Sequence, residues 1–504
     1  MISRRAFLRS GAAAVGTVSL GLARPRPGLA KGELDHVKMA LAVEPATMDP
    51  HTHIHRYTLD VQNQFYEQLV HRDARAKMSP GLATRWRQVD PRTWRVDLRK
   101  GVKFHGGEPF HAESAKYSLD RIMDPNMKSP ILSLRLVDKI TVVDAHTIDI
   151  STKEPLPVLP GYLSLNTSIV NKAWLSEKGA DFAARNANGT GPFKLVEWRK
   201  GDYVKLVRSD DYWGGRALVR SATIRGIPDA NSRVLALRKG EADIIQDLPP
   251  SLADEIKKVD GLRVSAVPSI RVHFMILRTD VKPFNDAMVR QAVNYAVNKE
   301  AITKQLLRGY GRPLTQILTP DIFGYNPDLP GYPYNPDKAK ALLREAGLPK
   351  GFATEMSAGS LYAGIVEAIG GNLRDVGIET NIRIEEMKVN TQNLIHRKAT
   401  PINYLTWGNF NLFDADGTVS HLLVPSIWSY YTPPARFLEL NKLAASALDP
   451  AKRLEAYHEL MKMAQVEAPL LLLHQQFDIH GANSKTTWQT RSDNLMLLYG
   501  TEKA

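Results

Sequence analysis

Residues 99–122 read RKGVKFHGGEPFHAESAKYSLDRI. Glycine occupies three positions in the first half of this segment, Gly101, Gly106 and Gly107, where it favours turns with positive φ. A turn is also predicted for NGTGP at residues 188–192, in preference to a phosphate-binding loop. Both segments therefore indicate a scaffold, and neither is predicted to contact a ligand.

Strand patterns flank the first of these segments. Trp94, Val96 and Leu98 alternate with polar residues, as expected for a half-buried strand, and residues 147–150 repeat the pattern. Farther along the chain, Val289, Ala292, Val293, Ala296 and Val297 have helical spacing. Strands and helices alternate over the whole chain, which predicts an α/β fold.

Several helix ends can be located from their capping residues. Asp286 is a predicted N-cap for the helix that contains Val289, and Asn335 is a predicted N-cap for a helix that begins at Pro336 and ends before Gly347. A helix over residues 361–376 is followed by a strand at 378–384. The second half of the chain is thus predicted to mix helices and strands, as α/β lobes do.

Two segments are the best candidates for crossovers between two lobes. Residues 263–276 alternate apolar side chains around Pro268, and residues 470–480 begin with a continuous apolar run. No Gly/Ser-rich linker follows residue 31, so two lobes must be joined by ordered segments. We expect these two segments to run antiparallel and to form a hinge.

Composition restricts the class of protein. The 504 residues carry a formal charge of +13, and five of those charges come from arginines in the first 30 residues. The remaining basic residues are mixed with acidic ones, which favours a solvated surface and predicts no nucleic-acid partner. There is no cysteine, which excludes disulfides, thiolate metal ligands and a lipid-modified N-terminal cysteine.

The first 30 residues are predicted to be an export signal. Residues 3–8 read SRRAFL, which matches the twin-arginine (Tat) pattern, and the apolar stretch 11–22 that follows is too short to span a bilayer. Small residues at Gly28 and Ala30 predict cleavage before Lys31. We therefore expect a soluble periplasmic protein of a Gram-negative bacterium.

Five segments resemble the family 5 extracellular solute-binding proteins, the peptide, nickel and opine binders of ABC importers. They are MDP with FYEQL (48–50, 65–69), residues 99–122, NGTGPFKLVEW with DYWGG (188–198, 211–215), VRQAVNYAVNKEAI (289–302) and GYNPDLPGYPYNPDKAKALLREAGL (324–348). They occur in the order that the family shows and cover nearly the whole chain after residue 31.

The resemblance implies a two-lobed α/β fold of the periplasmic-binding-protein type (type II, cluster C). Lobe I is expected at residues 31–269 with an extra subdomain near 72–190, lobe II at 270–476, and a C-terminal return to lobe I at 477–504. It also implies lobe closure around a small peptide, peptide-like or opine-like solute, with delivery to a permease and ATPase complex. No chemical step on the ligand is implied, so we expect a monomeric binding protein without a cofactor and not an enzyme.

The ligand pocket is expected around Trp407. Peptide binders of the family bind the ligand's α-ammonium group through an aspartate shortly after a tryptophan, whereas this chain has Asn409, Phe410 or Asn411 at that position. The pocket location is therefore carried over, but not the specificity for an amine. Further predicted ligand contacts are Tyr404, Phe413 and Phe274, whereas Asp414 and Asp416 are expected to be structural.

Histidines suggest a second kind of ligand. On an extended strand, His51, His53 and His55 would place three imidazoles on one face, and His421 could join them. His53 is also a predicted contact for an organic ligand. A loop with solvated histidines is the simpler interpretation, and capture of a nickel–histidine chelate is the alternative.

Two further classes remain as alternatives. One is an exported metal-dependent enzyme, although the chain has no dinucleotide, phosphate-loop, zinc-protease or serine-hydrolase motif. The other is a sensory protein that uses a closed cleft to engage a receptor. The sequence alone does not separate this second alternative from an importer component.

Overall fold

The computed structural model describes residues 32–409 and 412–504. Its strands are β1 (Val37–Leu41), β2 (Val70–Arg72), β3 (Met78–Pro80), β4 (Ala83–Asp90), β5 (Thr93–Leu98), β6 (Val137–Asp144), β7 (Thr147–Thr152), β8 (Phe193–Arg199), β9 (Tyr203–Arg208), β10 (Ser221–Gly226), β11 (Ile244–Ile245), β12 (Leu262–Leu277), β13 (Gly311–Pro313), β14 (Phe352–Gly359), β15 (Ile378–Glu385), β16 (Ile402–Trp407), β17 (Leu470–Asn483), β18 (Thr486–Thr487) and β19 (Glu502–Lys503).

The α-helices of the described residues are α1 (Arg56–Gln62), α2 (Ala112–Met123), α3 (Leu159–Tyr162), α4 (Lys172–Lys178), α5 (Ala180–Ala183), α6 (Ala230–Arg238), α7 (Pro250–Ile256), α8 (Ala287–Ala296), α9 (Lys299–Ala301), α10 (Pro336–Glu345), α11 (Ala363–Arg374), α12 (Met387–Ile395), α13 (Asp416–Thr418), α14 (Ala435–Ser446) and α15 (Pro450–Glu467). Short π-helical turns follow α9 and α13. The predicted α/β fold is confirmed.

The predicted helix caps are present. Asp286 accepts a hydrogen bond from the backbone N–H of Met288 at the start of α8. Asn335 caps α10 by accepting from the N–H of Lys338, and Gly347 follows that helix with a φ of 77°. These local predictions succeeded because each depends only on residues within one helical turn of the cap.

One sheet runs through both lobes in the order β15-β14-β16-β12-β17-β11-β1-β10-β9-β8, and β13 pairs with β17 at its side. We call residues 32–269 and 477–504 lobe I and residues 270–476 lobe II, which is the division that the sequence predicts. The crossover segments form β12 and β17, which pair antiparallel as expected. Their register shifts between Pro268 and Val272, at the boundary of the two lobes.

A separate antiparallel sheet lies within lobe I, in the order β4-β5-β7-β6. It has its own hydrophobic cluster, in which side chains such as Val96, Ile148 and Ile150 pack with Leu119 of α2. We call this sheet, together with α2 and α3, the subdomain. Its limits near residues 72 and 190 stay a prediction.

The turn at residues 188–192 packs closely on the family segment that contains Phe65. A Cβ atom added to Gly189 would lie 1.9 Å from the carbonyl oxygen of Phe65, so only glycine allows the two backbones to approach. Gly101 and Gly107 have the predicted positive φ, whereas Gly106 does not. A Cβ on Gly106 would instead meet the carboxylate of Glu108.

Candidate ligand-binding cleft

The direction of the strands places two sets of loops opposite each other. In lobe I, β11 runs antiparallel to β17 and parallel to β1, and β1 is parallel to β10. In lobe II, β16 runs antiparallel to β12, and β14 is parallel to both β16 and β15. The carboxyl ends of β1, β10 and β11 of lobe I and of β14, β15 and β16 of lobe II therefore lie at the boundary between the lobes, where open α/β sheets bind ligands.

The lobe I wall of this cleft contains a partly buried ion pair. Arg56, the first residue of α1, donates a hydrogen bond to Oδ2 of Asp247 at 2.5 Å, and the Tyr57 hydroxyl donates to the same oxygen at 3.1 Å. Burial alone would raise the pKa of Asp247, but the charge and hydrogen bond of Arg56 lower it. This wall consequently presents a fixed pair of charges beyond the end of β11.

The hinge strands form the floor. Asp478 of β17 is 3% exposed, and its Oδ2 has no hydrogen-bond partner among the described residues. Burial raises the pKa of Asp478 to about 7, although the charges of Arg56 and Arg271 act in the opposite direction. Arg271 of β12 also lies near β16, with Nη1 3.5 Å from Oγ1 of Thr406. Cationic groups of the hinge strand β12 and of α1 therefore act on the carboxyl of β17 at the floor.

The lobe II wall is apolar where β14 and β15 end. Leu361 is 78% exposed, and the next residue, Tyr362, stacks on Tyr404 with ring centroids 4.5 Å apart. Exposed apolar side chains also stand near the ends of β1 and β15; they are Val43, Ile54, Ile384 and Val389. Both edges of the cleft thus carry apolar surface, as small-molecule sites commonly do.

Other segments of lobe I approach lobe II on another side of the cleft. Arg72 donates a hydrogen bond to the carbonyl oxygen of Leu412 at 2.9 Å, and its guanidinium lies 4.9 Å from the centre of the Phe413 ring. Arg135 is exposed, and its charge adds to the effect of burial in lowering the pKa of His421 to about 4. Basic side chains of lobe I therefore face the loop that follows β16.

A pocket of about 210 Å³ adjoins this region within lobe I. Its polar walls include Glu67, His71, Arg72, Asn166 and Arg491. Glu67 accepts hydrogen bonds from neutral donors, and burial raises its pKa to about 7. None of the described residues between 270 and 476 lines the pocket, so it lies beside the cleft between the lobes.

Three of the predicted pocket aromatics are core side chains. Phe274 is fully buried, Tyr404 is 1% exposed and Trp407 is 6% exposed. The Tyr404 hydroxyl lies 2.6 Å from Nδ1 of His273, and Nε1 of Trp407 donates to the carbonyl oxygen of Gly417 at 2.9 Å. Their role in ligand binding stays a prediction, while their burial favours core packing.

Asn409 has a structural role in the turn after β16. Its side chain donates to the carbonyl oxygen of Asp414 and to Oγ1 of Thr418, and it accepts from the N–H of Phe413. Asn409 and Phe413 both have positive φ, at 51° and 58°. The asparagine therefore stabilises the turn, and its amide is not free to bind a ligand in the cleft. The other two residues predicted at this position, Phe410 and Asn411, lie outside the described residues.

The two acidic residues of this loop are paired as expected for structural groups. Asp414 accepts from Arg453 at 2.8 Å, and Asp416 accepts from the Ser420 hydroxyl at 2.6 Å. Burial is the main cause of the raised pKa of both carboxyls. The carboxylate of Asp414 is thus bonded to Arg453 and that of Asp416 to Ser420, both within lobe II.

The three histidines lie in a loop, as the simpler interpretation predicts, but His51 is buried and not solvated. The segment is a loop, so its side chains do not alternate as on a strand. His51 is fully buried and bonded to the Ser168 carbonyl oxygen and to Arg121, whereas His53 and His55 contact each other with ring centroids 4.7 Å apart. In residues 32–409 and 412–504, no group of three histidine or acidic side chains could hold a metal ion.

Sequence reasoning missed the basic residues of the cleft. Arg72, Arg135 and Arg271 lie far apart in the chain and in no shared motif, so only the fold brings them near the loop after β16. Tyr362 was missed as well, because it is the second residue of the helix predicted over 361–376 and resembles any residue at a helix start. The one available signal was the rule that ligands bind at the carboxyl ends of parallel strands.

The helices of the described residues include none that is long and apolar enough to cross a bilayer. Known proteins with similar sequences cover nearly the whole chain. The glutathione-binding protein GsiB of Pectobacterium atrosepticum is 29% identical over 460 residues, which are 87% of this chain and 88% of GsiB.

Solved structures share the fold. HbpA2 from Haemophilus parasuis has a TM-score of 0.85 and 23% identity, and the alignment covers 93% of this chain and 100% of HbpA2. The binding protein AgaA from A. tumefacien R10, in complex with agropinic acid, has a TM-score of 0.75 and 25% identity over 93% of this chain and 99% of AgaA. Residues 77–430 match the model of the bacterial extracellular solute-binding proteins, family 5 (Middle). The chain belongs to this family of solute-binding proteins.

Proposed function

We propose that the protein captures a small peptide or peptide-like solute in the cleft between its lobes and delivers it to the permease and ATPase of an ABC importer. The polarity of the strands is the observation that carries this proposal, because it directs the loops of both lobes toward one cleft across two hinge strands. A ligand that contacts both lobes binds better when they are closed, and it shifts the population toward closure.

The charges around the cleft support a ligand with carboxylate groups. Arg72 donates its hydrogen bonds to Ser164, Ala76 and Leu412, all neutral acceptors, and the carboxylates of Asp493 and Asp414 act on it through their charges. Arg135 and Arg271 add cationic groups. Guanidinium groups bind carboxylates by charge-assisted hydrogen bonds, which are about twice as strong as neutral ones.

Glutathione is the specific ligand that we propose. It is a tripeptide with two carboxylates and one ammonium group, so its net charge is negative at neutral pH and suits a cleft that has several arginines. The curated relatives are named glutathione-binding proteins, and they align with nearly the whole chain. An opine-like solute is the second candidate, since AgaA binds agropinic acid and opines also carry carboxylates.

A nickel–histidine chelate receives no support from the described residues, because His51 is separated from His53 and His55. The candidates can be compared by thermal shift with glutathione, dipeptides, agropinic acid and Ni²⁺–histidine, since stabilisation follows RT ln(1 + [L]/Kd). At 100 times Kd, glutathione should stabilise the chain by about 2.7 kcal/mol. A strong shift with the chelate and none with glutathione would reject the proposal.

We also propose that the protein reaches the periplasm by the Tat route and functions there as a soluble monomer. The SRRAFL motif supports the route, and the absence of cysteine excludes a lipid anchor on that residue. Residues 1–31, including the predicted cleavage site, lie outside the described residues.

A further inference from the structure

Leu412 extends from lobe II into the hydrophobic core of the subdomain. It is 3% exposed and belongs to the cluster that contains Val70, Leu159 and Leu163 of lobe I. Its neighbours in sequence pack differently: Trp407 and Phe413 belong to the main cluster of lobe II. Among the described residues of lobe II, Leu412 alone belongs to this cluster. It therefore connects lobe II to the subdomain of lobe I across the hinge.

The subdomain has a glycine where Leu412 enters. A Cβ atom on Gly161 of α3 would lie 2.8 Å from Cδ1 of Leu412, which is closer than real Cβ contacts. The φ of Gly161 is not positive, so the backbone itself would accept another residue. A Cβ atom at this position would therefore require the end of the Leu412 side chain to shift, and a larger side chain such as valine would displace the leucine further.

The turn that carries Leu412 is held by its own hydrogen bonds. The N–H of Leu412 donates to the carbonyl oxygen of Asn409 at 2.9 Å, and the Asn409 side chain bonds with Phe413, Asp414 and Thr418. These bonds lie within lobe II and do not depend on the subdomain. The turn is thus preformed before it meets lobe I, which lowers the entropy that the contact must overcome.

Arg72 adds a polar contact beside the leucine. Its Nη2 donates to the Leu412 carbonyl oxygen, while Nε and Nη1 donate to Ser164 and to the Ala76 carbonyl oxygen within lobe I. The guanidinium is therefore fixed by lobe I and presents one donor to lobe II. Leu412 and Arg72 together form a complementary apolar and polar contact between the lobes.

We infer that Leu412 is a positioning residue that stabilises the closed lobes by inserting against Gly161. The inference rests on the proposed lobe closure, since rotation about β12 and β17 would withdraw Leu412 and expose it to water. Because apparent affinity depends on the population of the binding-competent state, Leu412 affects ligand affinity without touching the ligand. Loss of one buried leucine contact should weaken that affinity by about 10-fold or more.

The contact can be tested without any ligand by a disulfide cross-link. Because the chain has no cysteine of its own, two introduced cysteines can pair only with each other within one chain. Gly161→Cys combined with Leu412→Cys should form a disulfide under mild oxidation, seen as a mobility change on a non-reducing gel. The matched control is Gly364→Cys with Leu412→Cys, since a Cβ on Gly364 of α11 meets nothing within 4 Å. Absence of the first cross-link in folded protein, or equal cross-linking of the control, would overturn the contact.

The positioning role is tested with Gly161→Val, with Gly364→Val as control. Gly161→Val should bind glutathione at least about 10-fold more weakly than the parent and, with glutathione present, keep a larger radius of gyration by small-angle X-ray scattering, while circular dichroism shows that the variant is folded. Equal glutathione affinity of Gly161→Val and the parent would overturn the role. If the parent itself does not bind glutathione, the ligand proposal fails, but the inference about Leu412 can still be decided by the cross-link and by the scattering of the ligand-free proteins. The inference is overturned if the cross-link does not form and the radius of gyration of Gly161→Val equals that of the parent.

Discussion

The guanidinium of Arg121 in α2 lies 2.8 Å from Nδ1 of His51, and the same guanidinium forms an ion pair with Asp49 at 2.5 Å. The second contact of the imidazole is the Ser168 carbonyl oxygen, 2.7 Å from Nε2. His51 thereby links the loop after β1 to the subdomain. Its surroundings are a cation and a carbonyl group, which makes it a structural histidine.

His51 should make the protein less stable in acid. Burial, and then the charge of Arg121, lowers the pKa of His51 to about 4 in the folded chain. The unfolded chain, with a pKa near 6.5, binds more protons between these values, so this contribution to stability is complete above pH 6.5 and is lost as the pH falls toward 4. Urea unfolding at several pH values should show a weaker acid dependence for His51→Asn.

The matched control for that experiment is His396→Asn, because His396 is exposed at the end of α12. It should leave the acid dependence as in the parent. Equal pH profiles for the parent and His51→Asn would contradict the assigned burial. Addition of Ni²⁺ should change the free energy of unfolding of both variants by the same amount as that of the parent.

Trp407→Ala should lower stability by about 3–5 kcal/mol, because it removes a large buried side chain and its hydrogen bond to Gly417. Leu361→Ala, at the exposed end of β14, should cost less than about 0.5 kcal/mol. Denaturant unfolding gives both values. A Trp407→Ala protein as stable as the parent would mean that the tryptophan packs loosely and belongs to the cleft surface.

Arg135→Ala should raise the pKa of His421. The charge of Arg135 disfavours the imidazolium form, and burial keeps the pKa below its usual range even without the arginine. The histidine signals can be followed by NMR between pH 4 and 7. Lys139→Ala, on the exposed side of β6 in the same subdomain, is the control and should not move the pKa of His421.

Glu67→Met should destabilise lobe I by at least about 2 kcal/mol. The carboxylate accepts from Tyr212, Trp213 and Thr190, each at 2.8 Å, and these buried donors would lose their partner. Thermal unfolding measures the loss, with the exposed Glu113→Met of α2 as control. A loss no greater than that of the control would show that water replaces the carboxylate.

Replacement of Arg4 and Arg5 together by lysine should abolish export if the Tat route is used, whereas Arg9→Lys should not. Cell fractionation with an antibody to the mature chain gives the periplasmic share of the protein. Full periplasmic recovery of the double variant would point to export of the unfolded chain.

The sequence predicted local features well and distant ones poorly. The caps Asp286 and Asn335 and the positive φ of Gly347 depend on neighbouring residues, and all three are present. The sheet order depends on pairing between strands such as β11 and β17, which are more than 200 residues apart, and no pattern in either strand identifies its partner.

Residue type alone also failed to separate pocket from core. Tyr404 and Trp407 lie on a strand whose two faces are both covered, so their aromatic character suits either role. From the sequence, Asn409 was interpreted only as a position without a carboxylate. In the structure its amide forms hydrogen bonds that hold a turn in which Asn409 and Phe413 have positive φ. Arg72, Arg135 and Arg271 become recognisable only when the fold assembles the cleft.

The pairing of β17 with β11 affects how the chain can be made. Lobe I receives its hinge strand, and the segment around Met496 that packs in its core, from residues synthesised after all of lobe II. When residues 32–269 have been synthesised, lobe I is therefore still incomplete, and the apolar surface that later contacts β17 and Met496 is exposed to water. Folding to completion has to follow the end of translation, so a chaperone that shields this half-built lobe would act during most of the time that synthesis takes.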